Sequence, residues 1–253
     1  KFAEGKMDTK LEIERNDEIG EIANSFNIMA NNTQKLIKDK YELEIYNRNA
    51  QYYSLMAQIN PHFINNVLQC IGAIGLEKNA VEVYDATMVL AKMLRYSIKE
   101  LDVVQLKDEI DNVRDYAEIQ KLRFEEKIQW KIEVDKELEN ISIPKLTLQP
   151  LIENSVVHGL EKKKGDGEVY LSVKKVGEVA IITIADNGIG MSAERLTELK
   201  EGIERATFDI ERKRIGVSNV CHRLKIMFKD NCDIKIESKK DIGTMITIRI
   251  NLE

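Results

Sequence analysis

The chain has 253 residues, of which 32% are charged, a formal net charge of −5, and three cysteines in no metal-ligand spacing. The acidic balance argues against a nucleic-acid surface, which needs clustered Lys and Arg, and the scattered cysteines favour free thiols in a reducing compartment. No apolar run approaches the roughly 18 residues of a membrane-spanning helix, and the first residues show no signal-peptide pattern.

Residues 17–60 carry the pattern of a long helix. Asn16 or Asp17 offers an N-cap, and acids occupy the first turn, where the helix dipole favours them. Apolar or small residues then recur every seven positions, the spacing of one coiled-coil seam: Met29, Leu36, Leu43, Ala50 and Ala57. We predict a long helix from Asp17 towards Gly72 or Gly75, paired in parallel with a second copy.

Within this helix, the segment 55–71 joins apolar helical spacing to a histidine and a proline. Leu55, Ile59 and Phe63 share one face, with Pro61 inside the pattern. A proline within a helix removes a donor and costs about 3 kcal/mol, so we expect the kink to serve the adjacent His62. The alternative is a structural histidine beside a tolerated kink.

Two further amphipathic helices are predicted at 81–99 and 106–124, the first after a turn marked by Gly72, Gly75 and Asn79. Two antiparallel helices per protomer, dimerised, make a four-helix bundle. From residue 126 the period changes to alternation. It predicts strands at 128–134, 169–173, 179–185, 234–238 and 244–250, with helices at 146–158, 192–202 and 217–228. The expected fold is α+β and multidomain, with a mixed sheet that carries helices on one face.

The first polar motif of the sheet domain lies in residues 148–159. Glu153, Asn154 and His158 interrupt an otherwise apolar helix, and the last two share a face at the i, i+4 spacing. Asn supplies an oxygen ligand for magnesium and the imidazole a donor for a phosphate. A solvent-facing polar stripe is equally compatible with this motif alone.

The second motif follows the apolar strand 179–185, which ends at Asp186. A carboxylate at a buried strand end suits recognition of an exocyclic amine such as that of adenine. The glycines that follow, Gly188 and Gly190, let backbone approach a ligand closely. The alternative is a plain turn, since Asn-Gly is a common turn dipeptide.

Two more glycines complete the pattern. Gly216 starts a helix after a basic run, which makes an anion site or, equally, a cationic loop capped by glycine. Gly243 and Thr244 open the last strand, where the hydroxyl could complete a polar network with Asp186.

Together these features resemble the nucleotide-binding domain of the GHKL ATPases and histidine kinases, an α/β sandwich of the Bergerat type. With Pro61-His62-Phe63 and Asn66 upstream, residues 40–253 resemble the cytoplasmic part of a LytS/YesM-type sensor histidine kinase. The segment 109–124 matches the motif that precedes the catalytic domain in that family, through Glu109-Ile110, Tyr116, Ile119-Gln120 and Arg123-Phe124. Residues 1–38 resemble the later part of a HAMP module. Because the chain begins at Lys1 rather than Met, we expect a fragment, and the HAMP resemblance implies a missing first helix and a membrane span upstream.

The resemblance implies three parts: a partial HAMP and signalling helix at 1–40, dimerisation and histidine phosphotransfer helices at 41–125, and an ATP-binding catalytic domain at 126–253. It implies a homodimer that uses ATP and Mg²⁺ to phosphorylate His62 and then passes the phosphoryl group to an aspartate of a response regulator, with a possible phosphatase activity.

The resemblance also implies residue roles. His62 would be the phospho-acceptor and Asn66 would position water for phosphatase chemistry. Asn154 would ligate magnesium, His158 would face the phosphates and Asp186 would accept from the adenine amine, with Thr244 in support. Residues expected to shape the pocket are Gly188, Gly190, Gly216 and Arg214, the last at the first glycine position of a GxG box. Phe63 stands where many histidine kinases place an acid beside the histidine, so the orienting group is left open, with Asn66 and Glu153 as candidates.

Two other functions suit the same fold. GHKL ATP hydrolases place a water-activating Glu four residues before the magnesium Asn, and that position here is Pro150. A catalytically silent dimeric scaffold would lack His62, Asn154 or Asp186, and all three are present.

Overall fold

The computed structural model describes residues 17–19, 21–22, 25–33, 40, 61–98, 101–124, 127–204 and 216–252. The chain divides into two compact units, Lys1–Asn60 and Pro61–Glu253. In the first unit residues 25–33 are helical. Residues 41–60 lie outside the described residues, so the continuous helix, its Leu43–Ala57 seam and the bend at Pro61 stay predictions.

The second unit contains helices and strands in this order: α1 (Pro61–Glu77), α2 (Val81–Ile98), β1 (Val103–Gln105), α3 (Leu106–Phe124), β2 (Ile128–Val134), β3 (Ser142–Pro144), α4 (Leu148–Asn154), β4 (Gly167–Val176), β5 (Val179–Asp186), α5 (Ala193–Glu204), α6 (Val217–Phe228), β6 (Cys232–Lys239) and β7 (Gly243–Asn251). None of the helices described here is long and apolar enough to cross a bilayer.

Helices α1 and α2 form an antiparallel hairpin. Of the three residues expected to mark its turn, only Asn79 lies there, with a φ of 55°. Gly72 and Gly75 lie inside α1. Glycine suits these two positions because α2 passes close to α1 there. A Cβ on Gly72 would stand 2.8 Å from the Thr87 hydroxyl, and one on Gly75 would stand 3.1 Å from the Val83 Cβ.

The sheet has the strand order β2-β4-β5-β7-β6, in which β2 and β4 are parallel and the other neighbours antiparallel. Alternate side chains point into the core, as the period of two requires. Leu171, Ile182 and Ile248 are almost fully buried. The opposite face is polar, with Glu133 paired to Lys131 and Lys174. The mixed sheet of the α+β prediction is therefore confirmed.

Helix α3 packs into the core of this sheet. Its buried residues Leu106, Ile110, Val113 and Tyr116 belong to the same apolar cluster as the strands. Before and after it, β1 and β3 pair in a separate two-stranded sheet. The predicted boundary at 125/126 between phosphotransfer and catalytic parts stays a prediction.

Candidate functional site

The carboxylate of Asp186, at the end of β5, is held by donors from three segments. Its Oδ1 accepts the N–H of Gly188 at 2.9 Å. The Ser155 hydroxyl and the Thr244 N–H lie near the carboxylate and lower its pKa. Burial raises the pKa of the Asp186 carboxyl, and these donors oppose the rise. A desolvated carboxylate of this kind is a strong acceptor for the amine of a ligand.

The loop after Asp186 packs backbone against backbone. The N–H of Ile189 donates to the Gly159 carbonyl at 3.0 Å, and a Cβ on Gly188 would overlap the Gly159 main chain. Gly190 has a φ of 61°, and a Cβ there would overlap the Lys239 carbonyl. The predicted close approach of Gly188 and Gly190 is thus made to the protein itself, and it fixes the wall of the site beside Asp186.

Thr244 pairs with Asp186 across β5 and β7. Its hydroxyl lies 2.9 Å from the Ser238 hydroxyl, which in turn donates to the Gly243 carbonyl at 3.0 Å. The Thr244 hydroxyl was expected to contact Asp186, but in the structure it contacts Ser238. Thr244 reaches Asp186 through its main-chain N–H.

Asn154 ends α4 with its side-chain amide fixed at the nitrogen. Nδ2 donates to the Pro150 carbonyl at 2.6 Å. A Cβ on Gly216 would stand 2.8 Å from this nitrogen, so the start of α6 lies directly against Asn154. Since the nitrogen is held in this way, Oδ1 is the atom left to serve as a metal ligand.

A π-helical turn, Ser155–Leu160, follows α4 where a continuous α-helix was expected. Such turns are frequent at functional sites. The turn exposes His158 and buries Gly159 beside Asp186, where a Cβ would stand 2.8 Å from Oδ1. Ser155 and Gly159 were missed from the sequence, although they directly follow Asn154 and His158 in the polar motif.

Glu153 points towards α3. Its Oε1 accepts from Gln149 at 2.6 Å, and the Gln149 oxygen accepts from Asn112. The Glu153 charge also raises the pKa of Tyr116, after the larger effect of burial. These contacts give Glu153 a place in the packing of α3 on α4.

His62, the second residue of α1, is exposed. The Asn66 amide nitrogen lies 3.3 Å from its Nδ1, one helical turn away. Beside them, Asn65 accepts from Arg95 of α2 at 3.1 Å. Asn66, a candidate for the orienting group, therefore lies within reach of the imidazole. Arg214 lies outside the described residues, so its predicted role stays a prediction.

Comparison with known proteins gives three matches along the chain. Residues 1–35 match the HAMP domain, residues 50–128 match the histidine kinase family, and residues 140–253 match the histidine kinase-, DNA gyrase B- and HSP90-like ATPase family.

Two curated relatives align over almost all of the chain. Sensor histidine kinase YesM of Bacillus subtilis is 32% identical over 235 residues, which is 92% of this chain and 39% of that protein. Sensor protein kinase HptS of Staphylococcus aureus is 29% identical over 248 residues, 97% of this chain and 47% of that protein. The chain thus spans less than half the length of these relatives. The histidine kinase domain of the Erythrobacter litoralis EL346 blue-light activated histidine kinase aligns with a TM-score of 0.44 at 12% identity, covering 76% of this chain and 94% of that one.

Proposed function

Because the chain belongs to the sensor histidine kinases, we propose that it transfers the γ-phosphoryl group of ATP to His62 and from there to an aspartate of a response regulator. The observation that carries the proposal is the presence, in one compact unit, of an exposed imidazole and a half-buried carboxylate beside glycine backbone. The first suits a nucleophile that must be reached, and the second suits recognition of a purine amine.

ATP would bind between the end of β5 and the end of α4. Asp186 accepts a hydrogen bond from the adenine amine, and Gly159, which has no side chain beside Oδ1, leaves the carboxylate accessible on that side. The exposed His158 faces the phosphates, with the α6 N-terminus at Gly216 beside Asn154. Phosphoryl transfer depends mainly on such positioning and on neutralised charge.

Magnesium is implied by the family, and the donor set suits it. Among the described residues no group of three or more His, Cys, Asp or Glu could hold a metal ion, so the ion would rest on Asn154 Oδ1 and on the phosphates of the substrate. When bound, Mg²⁺ would neutralise charge on the β- and γ-phosphates. Asn154 is suited to this role because Pro150 fixes its nitrogen and leaves its oxygen available.

The tautomer of His62 decides which ring nitrogen attacks. A half-turn of the Asn66 amide group brings its oxygen, in place of its nitrogen, to Nδ1. Nδ1–H then donates to Asn66, and the Nε2 lone pair attacks the γ-phosphorus. The Nε2–P bond forms, the bond from phosphorus to the bridging oxygen breaks, ADP leaves, and the Nδ1 proton passes to water. The lone pair of a neutral imidazole is itself the nucleophile, so this step needs no separate strong base.

The remaining assignments extend the family pattern to this chain. The exposed apolar residues of the hairpin, among them Val67, Ile74 and Leu90, form the interface of a homodimeric four-helix bundle. Asn66 positions water when the phosphoaspartate of the response regulator is hydrolysed. The parent protein is anchored in the cell membrane upstream of residue 1, and this chain is its cytoplasmic portion.

The test is incorporation of label from γ-labelled ATP. The chain has three histidines, so each can be replaced in turn. We expect acid-labile, alkali-stable label on the unaltered chain and on His222→Gln, slower labelling of His158→Gln, and none on His62→Gln. Label that persists in His62→Gln, or a chain that binds ATP and never becomes labelled, would overturn the proposal.

A further inference from the structure

Glu109, in the first turn of α3, is a fully buried carboxylate. Its Oε2 accepts the N–H groups of Thr147 and Leu148, both at 2.8 Å, and its Oε1 accepts the N–H of Leu146 at 2.6 Å. The first amides of a helix have no partner within the helix and carry partial positive charge. Glu109 therefore caps α4, the helix that ends at Asn154, from a separate helix.

The same segment is held on its carbonyl side by α6. The Arg223 guanidinium donates to the carbonyls of Lys145 and Leu146, the latter at 2.6 Å. The start of α6 also lies against Asn154, through Gly216. The entry to α4 is thus clamped between α3 and α6, and its position bears directly on Asn154.

Helix α2 reaches this clamp at the end of the hairpin that carries His62. The Tyr96 hydroxyl donates to Oε1 of Glu109, and burial raises the pKa of Tyr96, which keeps the hydroxyl protonated as a donor. On the preceding residue, Arg95 contacts Asn65 of α1. One turn of α2 therefore connects α1, which carries His62, to Glu109, which caps α4.

Two more polar contacts brace the same junction. Lys145 donates to the Ser97 carbonyl at 3.0 Å, and Lys92 pairs with the largely buried Asp115 of α3 at 2.7 Å. Tyr96 is nevertheless the residue of α2 that touches the cap itself, and its hydroxyl can be removed without removing the ring.

We propose that Tyr96 and Glu109 are positioning residues, whose contact holds α4 and Asn154 in register with the hairpin of His62 and so speeds phosphoryl transfer without adding to ATP affinity. The inference rests on the proposed function. Orientation is the main lever in this chemistry, and a misplacement of about 1 Å can cost about 100-fold in rate. Loss of the Tyr96 contact loosens the junction and, with it, the bonds that Glu109 accepts from its three main-chain donors.

Tyr96→Phe tests the proposal, with Tyr170→Phe as the matched control. Tyr170 donates to Glu133 at 2.9 Å on the outer face of the sheet, so the control removes the same kind of bond away from α2. In Tyr96→Phe we expect labelling of His62 at saturating ATP to slow by about tenfold, while the Kd for ATP stays within about twofold. Tyr170→Phe should match the unaltered chain in both.

A Tyr96→Phe rate equal to or above that of the unaltered chain would overturn the proposal, as would a loss explained wholly by weaker ATP binding. If neither the unaltered chain nor Tyr170→Phe labels, the proposed function fails and a second readout still decides the contact. Amide hydrogen exchange at Leu146, Thr147 and Leu148 should then be faster in Tyr96→Phe than in Tyr170→Phe. Equal exchange would overturn the proposal.

Discussion

The Asn66 amide nitrogen lies 3.3 Å from Nδ1 of His62, one turn along α1. Phe63, directly after the histidine, is exposed and carries no acceptor, so it cannot orient the ring. Asn66 places a polar side chain at the nitrogen that must be held if Nε2 is to attack. The i, i+4 spacing that brings the two together is a property of the helix itself.

Replacement of Asn66 should therefore slow the chemical step. Asn66→Ala removes the acceptor for Nδ1–H, and we expect the initial rate of His62 labelling at saturating ATP to fall by about tenfold. Asn66→Asp keeps an acceptor and should label at least as fast as the unaltered chain. Gln69→Ala, at an exposed position further along α1, serves as the control. An Asn66→Ala rate equal to that of Gln69→Ala would contradict the orienting role.

Gly216 offers a test of the Asn154 amide. A Cβ at residue 216 would stand 2.8 Å from Nδ2 of Asn154. In Gly216→Ala the side-chain amide of Asn154 must therefore rotate away from Pro150, which also moves its oxygen. We expect the affinity for ATP with Mg²⁺ to fall by about tenfold, with a smaller loss when the metal is chelated.

Gly202 is the matched control, since a Cβ there would meet nothing within 4 Å. It lies within α5, so Gly202→Ala should raise the free energy of unfolding by about 0.5–1 kcal/mol and leave ATP affinity unchanged. Both variants are followed by ATP titration and thermal unfolding. An unchanged ATP affinity in Gly216→Ala would show that Asn154 takes no part in binding ATP and Mg²⁺.

Asp186 should show a conflict between stability and binding. Burial raises the pKa of its carboxyl in the folded chain, so its contribution to stability is fully present below the unfolded pKa of about 3.9 and is lost as the pH rises through the folded pKa. Asp186→Asn removes that loss. We expect the variant to be more stable than the unaltered chain at neutral pH and the difference to shrink towards low pH, while ATP binding is abolished.

Denaturant unfolding across the pH range and ATP titration at neutral pH measure the two effects. Asp233→Asn, at an exposed site on β6, should change neither. If Asp186→Asn binds ATP as tightly as the unaltered chain does, Asp186 does not recognise the adenine amine.

The three cysteines should differ in reactivity. Cys70 is exposed on α1, whereas burial raises the pKa of the Cys221 thiol to about 12 and that of Cys232 to about 11. Only the thiolate reacts with disulfide reagents, so one thiol should react fast in the native chain and three after unfolding. Cys70→Ser should abolish the fast phase. Rapid reaction of Cys221 in the native chain would contradict the packing of α6.

The parts of the fold that follow from local pattern were predictable. Trp130 and Ile132 alternate with polar neighbours, and the strand they predicted is β2, with the same bounds. The spacing of Leu106, Ile110 and Val113 likewise gave α3 its bounds. The three-residue strands β1 and β3 were not predicted, because so few residues carry no period and the pairing joins segments about forty positions apart.

The candidate site likewise has a part that the sequence predicts and a part that it does not. Asp186 and Asn154 stand in recognisable motifs, whereas the contacts that hold them are long-range. Ser155 reaches Asp186 from another element, and Glu109 caps a helix 37 to 39 positions away. No local pattern shows which distant donor a buried carboxylate will meet, so the cap and the Tyr96 contact required the folded chain.

Phosphorus NMR of the chain with ATP and Mg²⁺ tests the central claim most directly, because it separates transfer to a histidine from hydrolysis. A phosphohistidine resonance should grow as the γ-phosphate signal of ATP declines, and it should be missing from His62→Gln and from Asp186→Asn. The contradicting result is steady formation of inorganic phosphate at the same rate in the unaltered chain and in His62→Gln, with no protein-bound signal in either.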